Sequence, residues 1–449
     1  MAAASEDSLV LVTGASGYIA THVIKQLQEA GYKVRGTVRS LSDEAKVKHL
    51  NDLCPDATYK LELVEADLTK PDSWEAAVKG VSYVIHVASP FPASAPKDEN
   101  EVIQPAVEGT QSVLKACIAA KSVKRVVLTS SCVAVNWSNT NTDKVHTEED
   151  WSDVESLDAY AKSKTLAEKA AWDFIKELPD EDKIELAVIN PAYVMGPVLH
   201  GSQCTSMEII KRLLERSMPA CPKLNFAIVD VRDVATAHVK AMTLPEAAGN
   251  RHLIVNTNMW MKEIAQQLAK EFKPQGYNVP TVNCPYFALW MSSLFDKTIK
   301  MILPQVNKVH KFENKRMKEV LGIEPLDAKD TIIEMAYSLI ESGFIKKTKK
   351  YKGPGGIEET KAEEDKTDEK GEEKKEEGKE DEKAKENGNV KEDAAAEDKK
   401  EEKTEEPAKT ETQAEVEQKT EETKPEETKA EEAKPEEKAE EATAEKTEN

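Results

Sequence analysis

Short apolar runs alternate with longer amphipathic stretches through the first half of the chain and somewhat beyond it. The runs at 9–12, 33–38, 59–66, 81–87, 125–129 and 184–190 predict strands buried on both faces. Between them, 18–30, 101–120 and 160–177 carry apolar residues at helical spacing, and 71–79 is a short helix with Pro71 in its first turn. Strands that alternate with helices in this way predict an α/β fold, a doubly wound parallel sheet of Rossmann type with right-handed crossovers. After Asn190 the pattern loosens into helices at 205–217 and 231–242 and strands at 226–229 and 251–255.

The first strand runs into Thr-Gly-Ala-Ser-Gly-Tyr-Ile-Ala, residues 13–20. Strand, glycine turn and helix point free backbone N–H groups at a phosphate. Gly14 permits the tight turn, and Gly17 lets the chain pass close to a pyrophosphate with no Cβ in the way. Ala20 stands where a third glycine is commoner. The second strand ends in Gly-Thr-Val-Arg, residues 36–39, with no acidic residue to hold a ribose 2′-hydroxyl. Arg39 stands there instead, with Lys46 as a second cation, and two cations suit the 2′-phosphate of NADP(H) better than NAD. The fourth strand exits through Ala88 and Ser89, small enough for close backbone approach to the cofactor.

The fifth strand leads into Ser130 and Ser131, and the helix at 160–177 opens on Tyr-Ala-Lys-Ser-Lys. Tyr160 and Lys164, four residues apart, share one face of that helix. A phenol is a poor acid–base group at neutral pH, and a neighbouring ammonium is expected to lower its pKa. A serine hydroxyl at the strand end can stabilise charge on a carbonyl oxygen, and either Ser130 or Ser131 is placed to do so. Together these groups predict carbonyl reduction.

Charge divides the chain. Residues 351–449 carry 38 acidic and 20 basic side chains, a net of −18, out of −21 for all 449 residues. This Glu/Lys-rich segment has no aromatic residue after Tyr351 and almost no branched aliphatic one, so 346–449 is expected to be a disordered tail whose partner is unknown. The nearly neutral remainder, 1–350 with a net of −3, shows no electrostatic footprint for nucleic acid, and the expected reductase domain spans 1–345. Six scattered cysteines and eight dispersed histidines suggest reduced thiols in a cytoplasmic protein, with no metal site. No secretory signal is visible, and the most apolar later window, 286–303, is too charged to span a membrane.

These motifs fall in an order that resembles the extended short-chain dehydrogenase/reductase family, and within it the dihydroflavonol 4-reductase-like branch. The nearest patterns are plant dihydroflavonol reductases and fungal methylglyoxal/aldehyde reductases. The likeness spans roughly residues 8–345. It rests on 12–20 (Val-Thr-Gly-Ala-Ser-Gly-Tyr-Ile-Ala), 37–39 (Thr-Val-Arg), 86–90 (His-Val-Ala-Ser-Pro), 128–131 (Leu-Thr-Ser-Ser) and 159–164 (Ala-Tyr-Ala-Lys-Ser-Lys), then 190–197 and 229–235. The resemblance implies Ser131, Tyr160 and Lys164 as the catalytic triad and NADP(H) as cofactor. It implies a pyrophosphate loop of Gly14, Ser16, Gly17, Tyr18 and Ile19, with Arg39 and Lys46 on the 2′-phosphate and Asp67 and Leu68 at the adenine. Val87, Ala88 and Ser89 would edge the ribose, Tyr160 and Lys164 would also touch the cofactor, Pro191 and Val194 would flank the nicotinamide, and Ser206 would be a further contact. Asn136 matches a substrate-side asparagine of the plant enzymes.

Two departures qualify the likeness. Ala106 replaces an asparagine common in the extended family, which weighs against a sugar-nucleotide epimerase, and the Asn-Trp-Tyr-Cys-type signature of cinnamoyl-CoA reductases is absent around 157–160. In the family a smaller lobe chooses the substrate; here it would draw mainly on 198–225 and 258–325, with Phe91, Tyr193, Met195 and 285–291 as candidate pocket walls. A carbonyl reductase acting on a small molecule is therefore expected. The alternatives are an NAD-linked hydroxysteroid-type alcohol dehydrogenase, or a cofactor-binding interaction protein working through its acidic tail.

Overall fold

The computed structural model describes residues 8–355 except 91–95, 97, 138–142 and 200–203. Of the segment expected to be disordered, 346–449, the part after 355 lies outside the described residues, as does Phe91. Residues 346–352 instead pack on the body, with the Tyr277 hydroxyl donating to the Lys346 carbonyl at 3.1 Å and the Lys352 N–H to Gln275 Oε1 at 3.2 Å, so the expected boundary at 345 falls too early. In chain order the elements begin with β1 (Leu9–Thr13), α1 (Tyr18–Glu29), β2 (Lys33–Val38), α2 (Glu44–Asn51), β3 (Glu62–Glu65), α3 (Trp74–Val78) and β4 (Tyr83–His86). They continue with α4 (Asn100–Ala120), β5 (Arg125–Thr129), β6 (Val145–His146), α5 (Ala159–Lys176), β7 (Glu185–Pro191), β8 (Tyr193–Met195) and α6 (Ser206–Leu214). Next come β9 (Asn225–Asp230), α7 (Val231–Thr243), β10 (Arg251–Ile254), β11 (Thr257–Trp260) and α8 (Met261–Phe272). The last are α9 (Tyr286–Ser293), α10 (Lys297–Ile302), β12 (Lys311–Phe312), α11 (Lys315–Glu319) and α12 (Ala328–Glu341).

Seven parallel strands form the main sheet in the order β10-β7-β5-β4-β1-β2-β3. This is the doubly wound Rossmann-type arrangement that the alternating pattern predicts. Successive residues of each strand point to opposite faces, so one run feeds two cores. Val10, Val12, Val127 and Ile189 face a core shared with α1 and α7, while Leu11, Val126, Leu128 and Val188 face another that holds Trp74 and residues of α4 and α5. Burial on both faces is the reason these runs read as continuously apolar.

The sheet grows from β1 in both directions, towards β2 and β3 on one side and β4 onward on the other. The reversal opens a crevice at the carboxyl ends of β1 and β4, where such folds take ligands. A third core lies beyond it, built from Met195, Met207, Ile210, Ile228, Ile264, Leu268, Phe272, Ile332 and Met335 around the small sheet β11-β9-β8. Helices α8 and α12, which the loosened pattern did not single out, supply much of this core. Its contacts run on to Tyr351, whose ring meets Tyr277 and Tyr337. Elsewhere the expected bounds shift slightly: 59–66 shortens to β3, 71–79 splits into a 3-10 turn and α3, and 205–217 ends at Leu214, with Arg216 left-handed at φ 55°. No helix among the described residues is long and apolar enough to cross a membrane.

Candidate active site

Because the main-sheet strands are parallel, their carboxyl ends collect Gly14 after β1, Arg39 after β2, Asp67 and Leu68 after β3, and Val87 to Ser89 after β4. Ser131 after β5 and Pro191 at the end of β7 lie at the same edge. The first turn is held by its neighbours. The Gly14 N–H donates to Thr37 Oγ1 at 3.0 Å, and the Ala15 N–H to the Thr37 carbonyl at 2.8 Å. Gly14 has φ +67°, and a Cβ on it would sit 3.2 Å from Ala88. Across the crevice the Ala88 N–H donates to Thr13 Oγ1 at 3.0 Å, which also pairs with His86 Nδ1 at 2.8 Å. Gly36, inside β2, makes room for this turn, since a Cβ there would come within 2.8 Å of Ala15 Cβ.

Gly17 begins α1 with no side-chain cap and no acidic residue in the first turn. The open N–H groups of that turn, at Tyr18 and Ile19, and the positive end of the helix suit a pyrophosphate, so the turn fits a dinucleotide. Tyr18 contributes there only through its backbone, because its hydroxyl donates to the Gly196 carbonyl at 2.8 Å and ties α1 to the end of β8. Ala20 is completely buried, which makes it a packing residue between helix and sheet. Arg39 is exposed and makes no hydrogen bond or ion pair with any described residue. Its charge is felt by Asp67, whose carboxyl is held below its usual value first by the Thr69 N–H. Leu68 packs on Gly109 of α4, where a Cβ would meet it at 3.0 Å. Lys46 falls in α2, but its side chain lies outside the described part.

Helix α5 starts where Asp158 accepts from the Ala161 N–H at 2.9 Å. Within the first turn, Tyr160 meets Ser131, whose hydroxyl hydrogen-bonds the phenol. The neighbouring Ser130 is committed elsewhere, donating to Glu168 Oε2 at 2.6 Å, so the geometry separates two serines that the sequence left open. Lys164 Nζ donates to the Thr129 carbonyl at 3.3 Å, at the end of β5.

The electrostatics differ from the expectation that the lysine lowers the tyrosine pKa. Tyr160 stays partly exposed as a residue, yet the surrounding protein desolvates its phenol and pushes it up to about 12, with Cys132 adding to the rise. The opposing pull comes from the Ser131 hydroxyl and not from Lys164. Lys164 is itself pushed down to about 8 by burial, against the pull of Glu168. His86 is held neutral, lowered to about 3 by burial and then by Lys164. Removing charge from water outweighs attraction between the two groups.

The remaining candidates sit on the far side of the crevice. Val194 lies in β8, and the Ser206 hydroxyl donates to its carbonyl, tying α6 to β8 rather than presenting a free group. Asn136 is buried with its amide against His310 Nδ1 at 3.2 Å, and His310 stacks on Trp137 at 5.0 Å. Tyr193 packs against Phe226 with ring centroids 5.0 Å apart, and Met195 is fully buried, so Met195 is core rather than pocket wall. Sequence reasoning gave no role to Thr13, Gly36, Thr37, His86, Asn190 or Glu168. Most of them lie within the motifs quoted above, but each acts through a partner distant in the chain, which a motif does not show. No group of His, Cys, Asp and Glu able to hold a metal occurs among the described residues, and none of the six cysteines is paired.

Sheet order, glycine turn and the Ser131–Tyr160–Lys164 grouping define a dinucleotide-dependent oxidoreductase fold of the extended short-chain type. The chain belongs to the NAD dependent epimerase/dehydratase family, which matches residues 10–256. A cinnamoyl-CoA reductase of Medicago truncatula is 38% identical over 274 residues, covering 60% of this chain and 82% of its own. A bifunctional dihydroflavonol 4-reductase/flavanone 4-reductase of Malus domestica is 37% identical over 285 residues, covering 62% and 79%. Among solved structures, the yeast methylglyoxal/isovaleraldehyde reductase Gre2 complexed with NADPH matches with TM-score 0.62 and 29% identity, over 75% of this chain and 99% of that one.

Proposed function

We propose that this protein is an NADPH-dependent carbonyl reductase in which Tyr160 delivers the proton. The observation that carries the reading is the meeting of Ser131 with Tyr160, one helical turn before Lys164, at the carboxyl edge that also bears the Gly14 turn. When bound, the cofactor supplies the hydride. Ser131 hydrogen-bonds the carbonyl oxygen and strengthens that bond as negative charge develops. Tyr160 then gives its proton to that oxygen. A phenol near 12 is fully protonated at neutral pH and remains a far stronger acid than the alkoxide it quenches.

Lys164 keeps a positive charge behind the phenol and offers its ammonium to the cofactor ribose. The backbone of 14–19 would hold the pyrophosphate, with Ser16 beside it, and Arg39 and Lys46 the 2′-phosphate. Asp67, Leu68 and Val87 to Ser89 would line the nucleoside, and Pro191, Val194 and Ser206 the nicotinamide end. NADPH in the Gre2 structure supports this choice of cofactor. The relatives act by name on a CoA thioester, on flavonoids and on small aldehydes, so the shared element is a carbonyl. Of these we favour aldehydes and ketones without CoA, because the cinnamoyl-CoA reductase signature is missing around 157–160. The body that ends on Tyr351 would carry this activity, with the acidic segment beyond it as an appended tail in the cytoplasm. NADPH oxidation should be followed with α-dicarbonyls, aliphatic and aromatic aldehydes and cyclic ketones. Tyr160→Phe should lower kcat by about 1,000-fold on any substrate found, with NADPH affinity kept. Full turnover by that variant would sink the reading.

A further inference from the structure

Four residues beyond Lys164 on the same face of α5 lies Glu168, whose side chain is completely buried. Donors from four places converge on it. Oε2 accepts from Ser130 Oγ at 2.6 Å, Asn190 Nδ2 at 2.8 Å and Arg251 Nη2 at 3.3 Å; Oε1 accepts from Arg251 Nε at 2.5 Å and Trp172 Nε1 at 3.3 Å. Arg251, in β10, is itself pinned by the carbonyls of Glu148 and Asp150 and stacks on Trp151 at 3.7 Å. Asn190 Nδ2 also reaches the Ser131 carbonyl at 3.2 Å, while its buried Oδ1 has no hydrogen-bond partner. The amide is thus turned to serve the carboxylate at the expense of its own acceptor.

We propose that Glu168 is the positioning residue of this site: its one carboxylate locks the ends of β5, β7 and β10 to α5, fixes Ser131 against Tyr160, and balances the buried charge of Lys164. The inference rests on the catalytic reading above. Donors on both oxygens of a buried carboxylate make charge-assisted hydrogen bonds, and an ion pair so surrounded, here with Arg251, fixes geometry more than it adds stability. Ser130 acquires a role in this network: it is the link through which the carboxylate sets the backbone of the next residue, Ser131. Of the titratable groups around Lys164, Glu168 from its own helix pulls against its loss of charge and is paired with Arg251 of β10. His86 from the end of β4 feels the ammonium, while Cys132 from the turn after β5 acts on Tyr160, one helical turn before the lysine. His238 of α7 stands behind Thr129, with Nε2 at 2.7 Å from Thr129 Oγ1. His86 and His238 are held neutral by burial, and Cys132 is pushed up to about 12, so Glu168 is the anion that supports the lysine's charge.

Glu168→Gln and Ser130→Ala should be compared with the wild type by thermal melting, by kcat against pH, and by the Kd for NADPH between pH 6 and 9. Glu168→Gln should lower kcat about 100-fold through misplacement of Ser131. It should also move the alkaline limb of both kcat and NADPH affinity, expected near pH 8 in the wild type, down by about one pH unit. A purely structural residue would lower the melting temperature and leave that limb where it was. Ser130→Ala keeps the carboxylate, so it should cut kcat about tenfold with the limb and Kd unmoved. A folded Glu168→Gln protein with an unshifted limb overturns the inference. Should Glu168→Gln fail to fold, an unchanged kcat in Ser130→Ala overturns it instead. Tyr160→Phe separates the two levels: if that variant is inactive while Glu168→Gln behaves as wild type, the inference alone fails, and if Tyr160→Phe is active, the catalytic reading fails beneath it.

Discussion

Two helices bring the chemistry to this crevice, and they do it by opposite means. Helix α1 offers backbone: an uncapped first turn, a left-handed Gly14 and space that any Cβ would fill. Helix α5 offers side chains: Tyr160, Lys164 and Glu168 on one face, the last two buried and the first partly so. A backbone site is limited by shape, because peptide N–H groups need no particular residue so long as the chain can bend. A side-chain site is limited by desolvation, because every charge in it must be supported by another. The first should therefore fail through bulk and the second through charge.

Bulk at the turn has the larger expected effect. Gly14→Val puts a branched side chain at φ +67° and its Cβ 3.2 Å from Ala88. The backbone strain costs about 1–3 kcal/mol, and relief by turning the loop away from Thr37 would withdraw the N–H groups from a phosphate. NADPH affinity should fall at least about 100-fold, measured by quenching of protein fluorescence. A Val variant that binds NADPH as well as the wild type would show that the turn is not the phosphate site.

The same contrast explains what the sequence disclosed. Both helices announce themselves by local spacing, Gly14 to Gly17 in one and Tyr160 to Lys164 in the other, and the alternating runs of β1 to β5 and β7 give away the sheet. What holds each site is non-local. Thr37 steadies the glycine turn from a neighbouring strand, and Gly36 vacates the space beneath Ala15. Glu168 gathers Ser130, Asn190 and Arg251 from three strand ends. No spacing rule pairs residues 38 or 83 positions apart. The pKa order was also illegible, since proximity alone suggests that the lysine lowers the tyrosine, while burial acts on both and wins. The far core escaped for a related reason. Helix α12 completes it from a point in the chain long after β9, so its apolar face has no local partner to mark it as part of the lobe.

Charge at α5 gives the next prediction. Lys164 has its pKa lowered from 10.5 to about 8, so below pH 8 a charged amine is kept in the interior at a cost to folding. Lys164→Met should abolish most turnover and at the same time stabilise the protein by about 2 kcal/mol at pH 7, less whatever is lost at the Thr129 carbonyl. The unfolded chain binds the extra proton between pH 8 and 10.5, so wild-type stability recovers across that window as pH rises. The advantage of the Met variant should thus be full below pH 8 and fade towards pH 10.5. A melting temperature that falls at pH 7, or a gain that does not fade, would mean that Lys164 is not buried as a charge.

The smallest expected effect tests whether the backbone site has a side-chain component of its own. Arg39 stands at the end of β2, exposed and without a hydrogen bond or ion pair among the described residues. Its removal breaks nothing within the fold, so Arg39→Ala should melt within about 0.5 kcal/mol of the wild type. If the guanidinium holds a 2′-phosphate, the variant should bind NADPH about tenfold more weakly, a bidentate charged contact in partly open solvent, while the Kd for NADH stays put. The readout is the ratio of the two constants, and salt should lower it in the wild type but hardly in the variant, because an exposed charge pair is screened. Equal loss for both cofactors would place Arg39 on the shared part of the dinucleotide. No loss for either would leave α1 as a site read by backbone alone, indifferent to which cofactor it takes.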